Sequence, residues 1–554
     1  MINLYKTIAK YKWLLLTWLI INTIQAYYTN LHYDEAYYWL YSKTLNWGYF
    51  DHPPMIALIS KIGDIISHST LGIRIIPIIM GVCVLGGIFH LIGDNKSYIK
   101  VFIYVISFPL ITSHIAGFLA LPDITLCFFF ILYLFCYKRY LKSENVKNSF
   151  LLSLTIAGMI YSKYHALLII LLTIIANIKL VKKKSFWTIT IISIFLMIPH
   201  IIWQFKKNFP SILYHISDRS SGFNINNFLE YIYSQIILAG PFSGIIILFL
   251  AITFIPKNTF EKTLKYIALG FYIFFLFYCF KSRIEAHWTS VSTIALIIIS
   301  YKQLSNSMKA KKILPYLLNP ALILILIARI VLAGDHLEEK IKFKSNFMNM
   351  YNWANELDSI SDGYPILFAN KYHDQAVYSF AKNKWVPGAP NYYTRFSQID
   401  LNKLDTIYNG QKVFALSYGR EKEWISKNNV QNRGSFINDY YSYTGIILED
   451  IYIKNYHDSL LLCFKIINKT NRELLYFKDS KQKLKLHYSI NGKNYRENFH
   501  ELTKEKSINK LSEKEFKVII SKPKKIKKEV EIDVGLSSNS LRVFRNRKKT
   551  YTIK

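Results

Sequence analysis

Apolar residues lie in eleven blocks before residue 334, and beyond that point short apolar segments alternate with polar ones. A helix needs about 20 apolar residues to cross the hydrocarbon core of a bilayer. The blocks approach or reach that length, so they predict a polytopic α-helical membrane protein with about 11 transmembrane helices. The predicted spans are 12–29, 71–92, 98–117, 122–140, 149–163, 164–180, 186–204, 229–255, 264–280, 286–300 and 313–333.

The basic residues of the connecting loops predict an orientation. Alternate loops, counted from the N-terminus, carry 20 lysines and arginines, whereas the other set carries 8. Because cytoplasmic loops are enriched in basic residues, the N-terminus is expected in the cytoplasm and the first span is expected to be an uncleaved signal anchor. An odd number of spans then places the C-terminal region outside the membrane.

The chain after the last span predicts two further domains. Residues 335–443 mix a helical stretch, FMNMYNWANELDSI, with short strands in PILFAN and KVFALSYG. Residues 444–554 alternate apolar and polar positions in LLLCFKII, KLKLHYSI, EFKVIIS and EVEIDVGL, which is the period of a half-buried strand. We therefore expect a transmembrane domain over 1–334, an extracytoplasmic α/β domain over 335–443 and an extracytoplasmic β-sandwich over 444–554.

Composition and charge narrow the class of protein. The 554 residues are 51% hydrophobic and carry 69 Lys and Arg against 36 Asp and Glu, a net charge of +33. Much of that charge lies in the loops predicted to be cytoplasmic and in tail runs such as KPKKIKK and RNRKK, which are typical of solvated faces or of contact with anionic headgroups. No CxxC pair is present among the five cysteines, so neither a zinc site nor a disulfide framework is predicted. Nucleic acid is not expected as a partner of a tail outside the membrane.

Ionisable residues gather at the face predicted to be external. Asp34 and Glu35 follow the first span, and carboxylates at that depth are costly unless they face a cavity. They also suit the N-terminus of a following helix, as does Asp123 beside Pro122, so capping and function both remain open. The residues that the topology brings to this face are Asp34, Glu35, Asp51, His52, Asp123, Lys163, Arg219, Glu285 and His287.

Two basic residues are candidates for binding a phosphate. Lys163 lies at an outer span junction, against the bias of the loop charges, and either extends to the interface or faces a lipid phosphate. Arg219 has a planar fork suited to bidentate phosphate contact, although it is also typical of an exposed loop. The dense aromatic residues of the loop 30–70 predict helices that lie in the membrane interface.

These segments together resemble the membrane-embedded glycosyltransferases of the C-type superfamily, in particular glycosyltransferase family 39, with its protein O-mannosyltransferases and lipid A aminoarabinose transferases. The resemblance rests on LHYDEAYYWLYSKTLNWGYFDHPPMIALI, ALPDITL, YSKYHALL, SDRSSG and IEAHW, in that order. It covers about residues 1–330, and the 335–443 unit resembles the external domain of bacterial members. The 444–554 segment adds nothing to the resemblance.

The resemblance implies a C-type glycosyltransferase fold and inverting transfer of a sugar from a polyprenyl-phosphate donor at the outer face of a bacterial cytoplasmic membrane. The acceptor would be a hydroxyl or phosphate of a lipid, a lipid-linked glycan or a protein. Asp34 would be the general base, Glu35 the second acid of the pair and Asp123 the acid of the next external loop. His52 replaces a phosphate-binding lysine of the lipid A enzymes, which would make its charge depend on pH. The matching motifs add Lys163 and Arg219 as further donor-phosphate ligands, and Asp51, Tyr164, Glu285, His287 and Trp288 as other site candidates.

A carboxylate base and fixed cations are what this chemistry needs, because the acceptor loses a proton while negative charge develops on the leaving phosphate. A divalent metal held by Asp34, Asp123 and His52 is a further candidate, although no ligand spacing specifies it. A transporter or flippase of lipid-linked sugars is the alternative function, and a non-catalytic glycan receptor is a third. Transporters usually carry charges near the midplane and have repeated halves, and neither feature is seen in the sequence.

Overall fold

The computed structural model divides the chain into two compact units, residues 1–349 and 350–554, each considered by itself. The predicted limits at 334/335 and 443/444 remain predictions. The residues that the structure describes are 2–93, 97–215, 222–333, 350–369, 372–389, 397–402, 404–416, 423–425, 431–475, 484–491, 493–498, 507–521, 529–537, 543–545 and 549–552.

The first unit is helical throughout its described residues. Its α-helices are α1 (Ile2–Tyr28), α2 (Tyr33–Ser42), α3 (Met55–Ile66), α4 (Thr70–Ile92), α5 (Tyr98–Ile106), α6 (Pro122–Lys142), α7 (Val146–Ser162), α8 (Ala166–Ala176), α9 (Lys184–Lys206), α10 (Pro210–Leu213), α11 (Ile225–Ala239), α12 (Gly244–Thr253), α13 (Thr259–Tyr278), α14 (Ser290–Leu304) and α15 (Met308–Leu332). A π-helix, Ile111–Ile115, and two 3₁₀-helices, Ile178–Lys182 and Ala286–Thr289, complete it.

Helix α14 lies at the centre of this unit. Every residue from Ser290 to Ser300 is buried, because α4, α6, α12 and α13 all pack around it. A helix that is apolar on all sides is expected to be buried in this way. Its few hydroxyl groups are satisfied locally or by a neighbour, as where Tyr104 and Ser300 are hydrogen bonded at 2.8 Å.

The membrane spans agree with the sequence in part. Among the described residues, four helices are long and apolar enough to cross a membrane, α4, α6, α9 and α15, and five if α11 and α12 count as one span. The predicted span 229–255 is broken instead, with an 86° bend between α11 and α12. Gly240 has φ 145° there and Pro241 follows it, so a backbone conformation that favours glycine makes the turn. The total of eleven remains a prediction.

The aromatic loop after α1 folds differently from the prediction. It forms α2 and α3, but Tyr37, Trp39 and Tyr41 of α2 are each at most 1% exposed. These rings therefore pack against the protein and not against lipid headgroups, and the position of α2 in the membrane interface stays a prediction. Trp47, beyond the end of α2, is 55% exposed.

The second unit contains the predicted helix and strands. Helix α16 (Met350–Ser361) precedes strand β1 (Ile366–Phe368), and β1 pairs in parallel with β2 (Gln411–Leu416). Two more strands complete that sheet in the order β1-β2-β4-β3, with β3 at Glu423–Ile425 and β4 at Gln431–Tyr440. The other helices of this unit are α17 (Tyr372–Ala381), α18 (Gln398–Asn402) and the 3₁₀-helix Leu404–Tyr408.

Antiparallel strands form the rest of the second unit. They are β5 (Ile446–Tyr456), β6 (Ser459–Asn468), β7 (Leu474–Leu475), β8 (Lys485–Ile490), β9 (Lys493–Asn498), β10 (Ser507–Ile508), β11 (Ser512–Ser521), β12 (Glu529–Ser537), β13 (Val543–Arg545) and β14 (Lys549–Thr552). The order β11-β6-β5 forms one sheet, the order β13-β12-β8-β9 with β14 beside β12 forms another, and β7 pairs with β10. One hydrophobic core contains residues of both larger sheets. The basic run KPKKIKK and most of RNRKK lie outside the described residues.

Candidate active site

Glu35 is held by an arginine from the next long helix. Arg74 of α4 donates from Nε to Glu35 Oε1 at 2.8 Å and from Nη2 to Oε2 at 2.6 Å, and both side chains are 0% exposed. The backbone amides of Ala120 and His32 also donate to this carboxylate, at 2.8 and 2.9 Å. Burial raises the pKa of Glu35, but the charge and hydrogen bonds of Arg74 and the two amides outweigh it, so the pKa lies below its ordinary value. Both carboxylate oxygens are therefore engaged.

Asp34 differs from its neighbour in exposure. Its side chain is 40% exposed, and its carboxylate lies 3.8 Å from Nδ1 of His32. His32 caps α2, since its Nδ1 accepts the Asp34 backbone N–H at 3.1 Å. The N-terminus of α2 favours a negative charge at this position. Asp34 therefore combines an accessible carboxylate with a backbone fixed by the helix cap.

A buried ion pair joins two other predicted residues. Lys163 Nζ donates to both oxygens of Asp123 at 2.9 Å, and both side chains are about 5% exposed or less. Asp123 is the second residue of α6, directly after Pro122, and Lys163 follows the end of α7. His287 Nε2 lies 3.9 Å from the same carboxylate. The ring of His287 stacks on His114 with centroids 4.8 Å apart and planes 12° apart.

His52 lies in the turn after α2, and the charges of this pair affect its pKa. Its Nε2 and the Tyr38 hydroxyl are hydrogen bonded at 3.1 Å, and its Nδ1 is buried with no hydrogen-bond partner in the described parts of the chain. Burial lowers the pKa of His52 and Lys163 lowers it further, whereas the carboxylates of Asp51, Asp123 and Asp34 oppose the shift only in part. The net pKa is below the ordinary value, so His52 is neutral at neutral pH. The expected pH dependence of its charge is thereby moved towards acid pH.

Asp51, the other ionisable residue of the turn, is held by a tyrosine of α2. The Tyr41 hydroxyl donates to Asp51 Oδ1, and Asp51 is 6% exposed. The Tyr41 ring stacks on Tyr49 with centroids 4.2 Å apart. These contacts fix the backbone on both sides of the turn that carries His52.

Tyr164 belongs to a network that fixes the end of the same loop. Gln204 of α9 donates to the Tyr164 hydroxyl at 2.8 Å and to Ser211 at 3.0 Å, and Ser211 donates to the Tyr49 carbonyl at 2.9 Å. His200 is hydrogen bonded through Nδ1 to the Trp47 carbonyl at 2.6 Å. Residues 47–49 are thereby attached to α9 and α10.

The remaining predicted residues lie at the edge of this arrangement or outside the described residues. Trp288 is 9% exposed, and its ring packs against His165 and Phe275 at centroid distances of 5.1 and 5.5 Å. Glu285 precedes it by three residues, and the Glu285 backbone carbonyl accepts the Trp288 backbone N–H at 3.0 Å. Arg219 lies in the range 216–221, which is outside the described residues.

The sequence did not point to two ionisable residues of this arrangement. Arg74 and His114 both lie inside blocks interpreted as spans, 71–92 and 98–117. An ionisable residue within an apolar span is itself a signal of function, and that signal could have identified both. The π-helix at Ile111–Ile115, which directs His114 towards His287, cannot be predicted from apolar spacing.

The residues present do not fit the metal suggested for Asp34, Asp123 and His52. Among the described residues, no group of three His, Cys, Asp or Glu side chains could hold a metal ion. Lys163 occupies both oxygens of Asp123, and Tyr38 occupies Nε2 of His52.

Residues 51–203 match the family model of dolichyl-phosphate-mannose-protein mannosyltransferases. This segment contains His52, Arg74, Asp123 and Lys163, and the match confirms the resemblance to glycosyltransferase family 39 over that part of the chain. None of the curated proteins matches the sequence.

The fold is similar to that of ArnT from Cupriavidus metallidurans. The crystal structure of its apo state superimposes with a TM-score of 0.54 at 11% sequence identity, over 77% of this chain and 98% of ArnT. The crystal structure bound to undecaprenyl phosphate gives the same TM-score and coverage at 10% identity. With the apolar helices of the first unit, this likeness identifies a multi-pass membrane protein whose fold is like that of ArnT.

Proposed function

We propose that this protein is an inverting glycosyltransferase that moves a sugar from a polyprenyl-phosphate donor to an acceptor at the outer face of a bacterial cytoplasmic membrane. In this proposal the first unit crosses the membrane eleven times from a cytoplasmic N-terminus. The C-terminal α/β region and a β-sandwich then lie outside. The likeness to ArnT, one of whose structures holds undecaprenyl phosphate, supports a donor of that class.

The observation that carries the proposal is the convergence of an accessible carboxylate with a fixed cation. Asp34 is 40% exposed, and Lys163 is fixed by two hydrogen bonds of 2.9 Å to Asp123. The charges of all three residues shift the pKa of His52, which supports placing Asp34 near the Asp123–Lys163 pair. These residues come from α2, the following turn, α6 and the end of α7, so four separate segments build one site. A set of capping residues alone would not require this convergence.

Asp34 is assigned as the general base. The acceptor oxygen attacks the anomeric carbon, its proton passes to the Asp34 carboxylate, and the bond to the polyprenyl phosphate breaks on the opposite side. The sugar is therefore transferred with inversion. A positioned carboxylate contributes typically 10²–10⁴-fold to such a step.

Lys163 is assigned to the leaving phosphate. Asp123 holds its ammonium in place with two hydrogen bonds, so the cation is oriented before the donor arrives. A preorganised charge in a site with little water stabilises developing negative charge more strongly than a mobile one does. His52 and Arg219 are proposed as further phosphate ligands, with His52 acting as a neutral hydrogen-bonding group.

Glu35 is assigned a positioning role instead of the role of a second acid. Its oxygens accept four hydrogen bonds, from Arg74, Ala120 and His32. A carboxylate engaged in this way has no free position for a substrate proton. By fixing the first turn of α2 it orients Asp34, its neighbour in the chain.

Transfer in membranes tests the assignment. Labelled polyprenyl-phosphate mannose and polyprenyl-phosphate aminoarabinose would be supplied to vesicles that contain the wild type, Asp34→Asn or Glu230→Gln. Glu230 is the control, because it lies in an exposed ion pair with Arg283. We expect Asp34→Asn to lower the transfer rate at least 100-fold while polyprenyl-phosphate binding persists. A wild-type rate in Asp34→Asn would exclude Asp34 as the base.

The alternative, a flippase of lipid-linked sugars, makes the opposite prediction for the same vesicles. A flippase would move the donor across the bilayer without forming a glycosylated product, and Asp34→Asn would reduce that movement. The gathering of Asp34, Asp123 and Lys163 at span ends favours transfer at one face, and the donor sugar and acceptor would then be read from the product.

A further inference from the structure

Arg329 is a buried cation near the end of α15. Its side chain is 9% exposed, and the surrounding faces of the helix carry lipid-facing residues such as Ile327 and Ile330, which are 52% and 60% exposed. The guanidinium lies over Trp18 and Phe118 at 5.5 and 5.7 Å from their ring centroids. The charge is therefore enclosed by apolar and aromatic groups.

The hydrogen-bond partners of Arg329 are neutral. Nη2 donates to Asn22 Oδ1 at 2.9 Å and Nε to Gln25 Oε1 at 3.3 Å, both on α1. Nη1 is buried and has no hydrogen-bond partner, and no carboxylate of the described residues forms an ion pair with this guanidinium. Arginine has five N–H donors and stays charged at all relevant pH values. The two N–H groups of Nη1 therefore have no acceptor among the described residues, and only the faces of the two aromatic rings offset the charge.

Arg74 provides a comparison, because it is a second buried arginine near the same aromatic ring. Phe118 contacts both guanidinium groups, since Arg74 lies 5.2 Å from the same ring. Arg74 uses its donors on Glu35 and on three backbone carbonyls, those of Ala26, Thr29 and Asn30. Of two arginines on one aromatic ring, only Arg74 has a counter-ion. Burying an unpaired charge is costly, which implies an anionic partner that the described residues do not supply.

The depth of Arg329 indicates the class of that partner. Tyr27 and Tyr28 end α1 and are 65% and 63% exposed, as expected for rings at a membrane interface. Asn22 and Gln25 precede Tyr28 by six and three residues, about 9 and 5 Å along the helix. Arg329 consequently lies a short distance below the headgroups, where its long side chain can reach a lipid phosphate.

We propose that Arg329, with Asn22 and Gln25, binds the phosphate of an anionic lipid at the outer ends of α1 and α15. The guanidinium supplies its unused N–H groups as a fork that suits a phosphate. The lipid chains would lie along the exposed apolar residues of α15. Such a lipid would fasten α15 to α1, the helix that leads into the catalytic loop.

The thermal stability of the purified full-length protein in neutral detergent tests this. Unfolding would be followed by the thiol reactivity of Cys127 and Cys279, which are buried in the fold. We expect phosphatidylglycerol to raise the apparent Tm of the wild type by several degrees and phosphatidylcholine or inorganic phosphate to leave it unchanged. Arg329→Gln should abolish the response, and Arg283→Gln, which alters an exposed arginine, should retain it.

Asn22→Asp keeps the test decisive if Arg329→Gln does not fold. The new carboxylate would lie at the position of an atom 2.9 Å from Nη2, giving Arg329 a counter-ion within the chain. We expect a higher Tm without lipid and a lost response to phosphatidylglycerol. A lower Tm with an undiminished response would overturn the proposal, as would an equal response in Arg329→Gln. A response to inorganic phosphate that Arg329→Gln removes supports the oxyanion site and assigns it to free phosphate.

Discussion

Removing Arg74 should destabilise the first unit by about 3–5 kcal/mol, the usual cost of leaving one member of a buried ion pair alone. Both Arg74 and Glu35 are 0% exposed. In Arg74→Gln the Glu35 carboxylate would keep only the amides of Ala120 and His32 as donors. The last carbonyls of α1 would also lose the donors that Arg74 provides.

The variants Arg74→Gln and Glu35→Gln should differ in how their stability depends on pH. Without Arg74, burial raises the pKa of Glu35 above its ordinary value of about 4.3. A group whose folded pKa is raised adds stability that is present at low pH and lost as the pH rises through that pKa. Arg74→Gln should therefore be least stable at pH 8 and recover towards pH 5. Glu35→Gln leaves an arginine that cannot lose its proton, so its deficit should not change over this range.

Unfolding by titration of sodium dodecyl sulfate into mixed micelles measures these free energies, with the reactivity of the buried cysteines as the signal. The exposed pair of Arg283 and Glu230 is the matched control, because exposed pairs contribute about 0–1 kcal/mol. The reasoning would be refuted if Arg74→Gln lost less than about 1 kcal/mol at pH 8. If Arg74→Gln lost the same unfolding free energy at pH 5 and pH 8, only the argument from the raised pKa of Glu35 would be refuted.

Three further predictions concern the site. Lys163→Met should weaken polyprenyl-phosphate binding at least tenfold in an equilibrium assay, and Lys163→Arg should restore part of it; unchanged binding in Lys163→Met would exclude the phosphate role. Because burial lowers the pKa of His52, wild type and His52→Gln should show the same pH dependence of transfer between pH 6.5 and 8, and a titration step present only in the wild type would contradict this. A Cβ on Gly48 would lie 2.5 Å from the Trp203 ring, so Gly48→Leu should displace the loop that carries Gly48. We expect a clear loss of transfer rate with only a small decrease in Tm. A wild-type transfer rate in this variant would exclude a role for the position of the loop.

Most of the helical fold follows from local pattern, and its breaks do not. Blocks of apolar residues predict helices because a buried or lipid-facing backbone must satisfy its own hydrogen bonds. The bend at Gly240 depends instead on one backbone conformation at φ 145°, which has no effect on average hydrophobicity. The burial of Tyr37 and Tyr41 likewise depends on which surfaces meet, and interfacial and core tyrosines look alike in a sequence.

The candidate site was predictable to the extent that topology places residues at one face. Loop charges and span ends predict Asp34, Asp123 and Lys163 at one face, and the structure pairs two of these residues, Asp123 and Lys163. The rotation of each helix about its axis decides which carboxylate pairs with which cation, and that rotation cannot be read from the sequence. Arg74 lies inside an apolar block, so its pairing with Glu35 required the three-dimensional contact of α2 with α4.

The neighbouring carboxylates of α2 show how one turn of helix separates two roles. Successive residues differ by about 100° around a helix axis, so Asp34 and Glu35 cannot face the same surroundings. Glu35 faces the helix bundle, where Arg74 and two backbone amides donate hydrogen bonds to its two oxygens. The side chain of Asp34 remains 40% exposed. Glu35 thereby fixes the helical turn that positions Asp34. Replacing either carboxylate by its amide should therefore give opposite results. Asp34→Asn should lose transfer rate and keep full stability, whereas Glu35→Gln should lose stability.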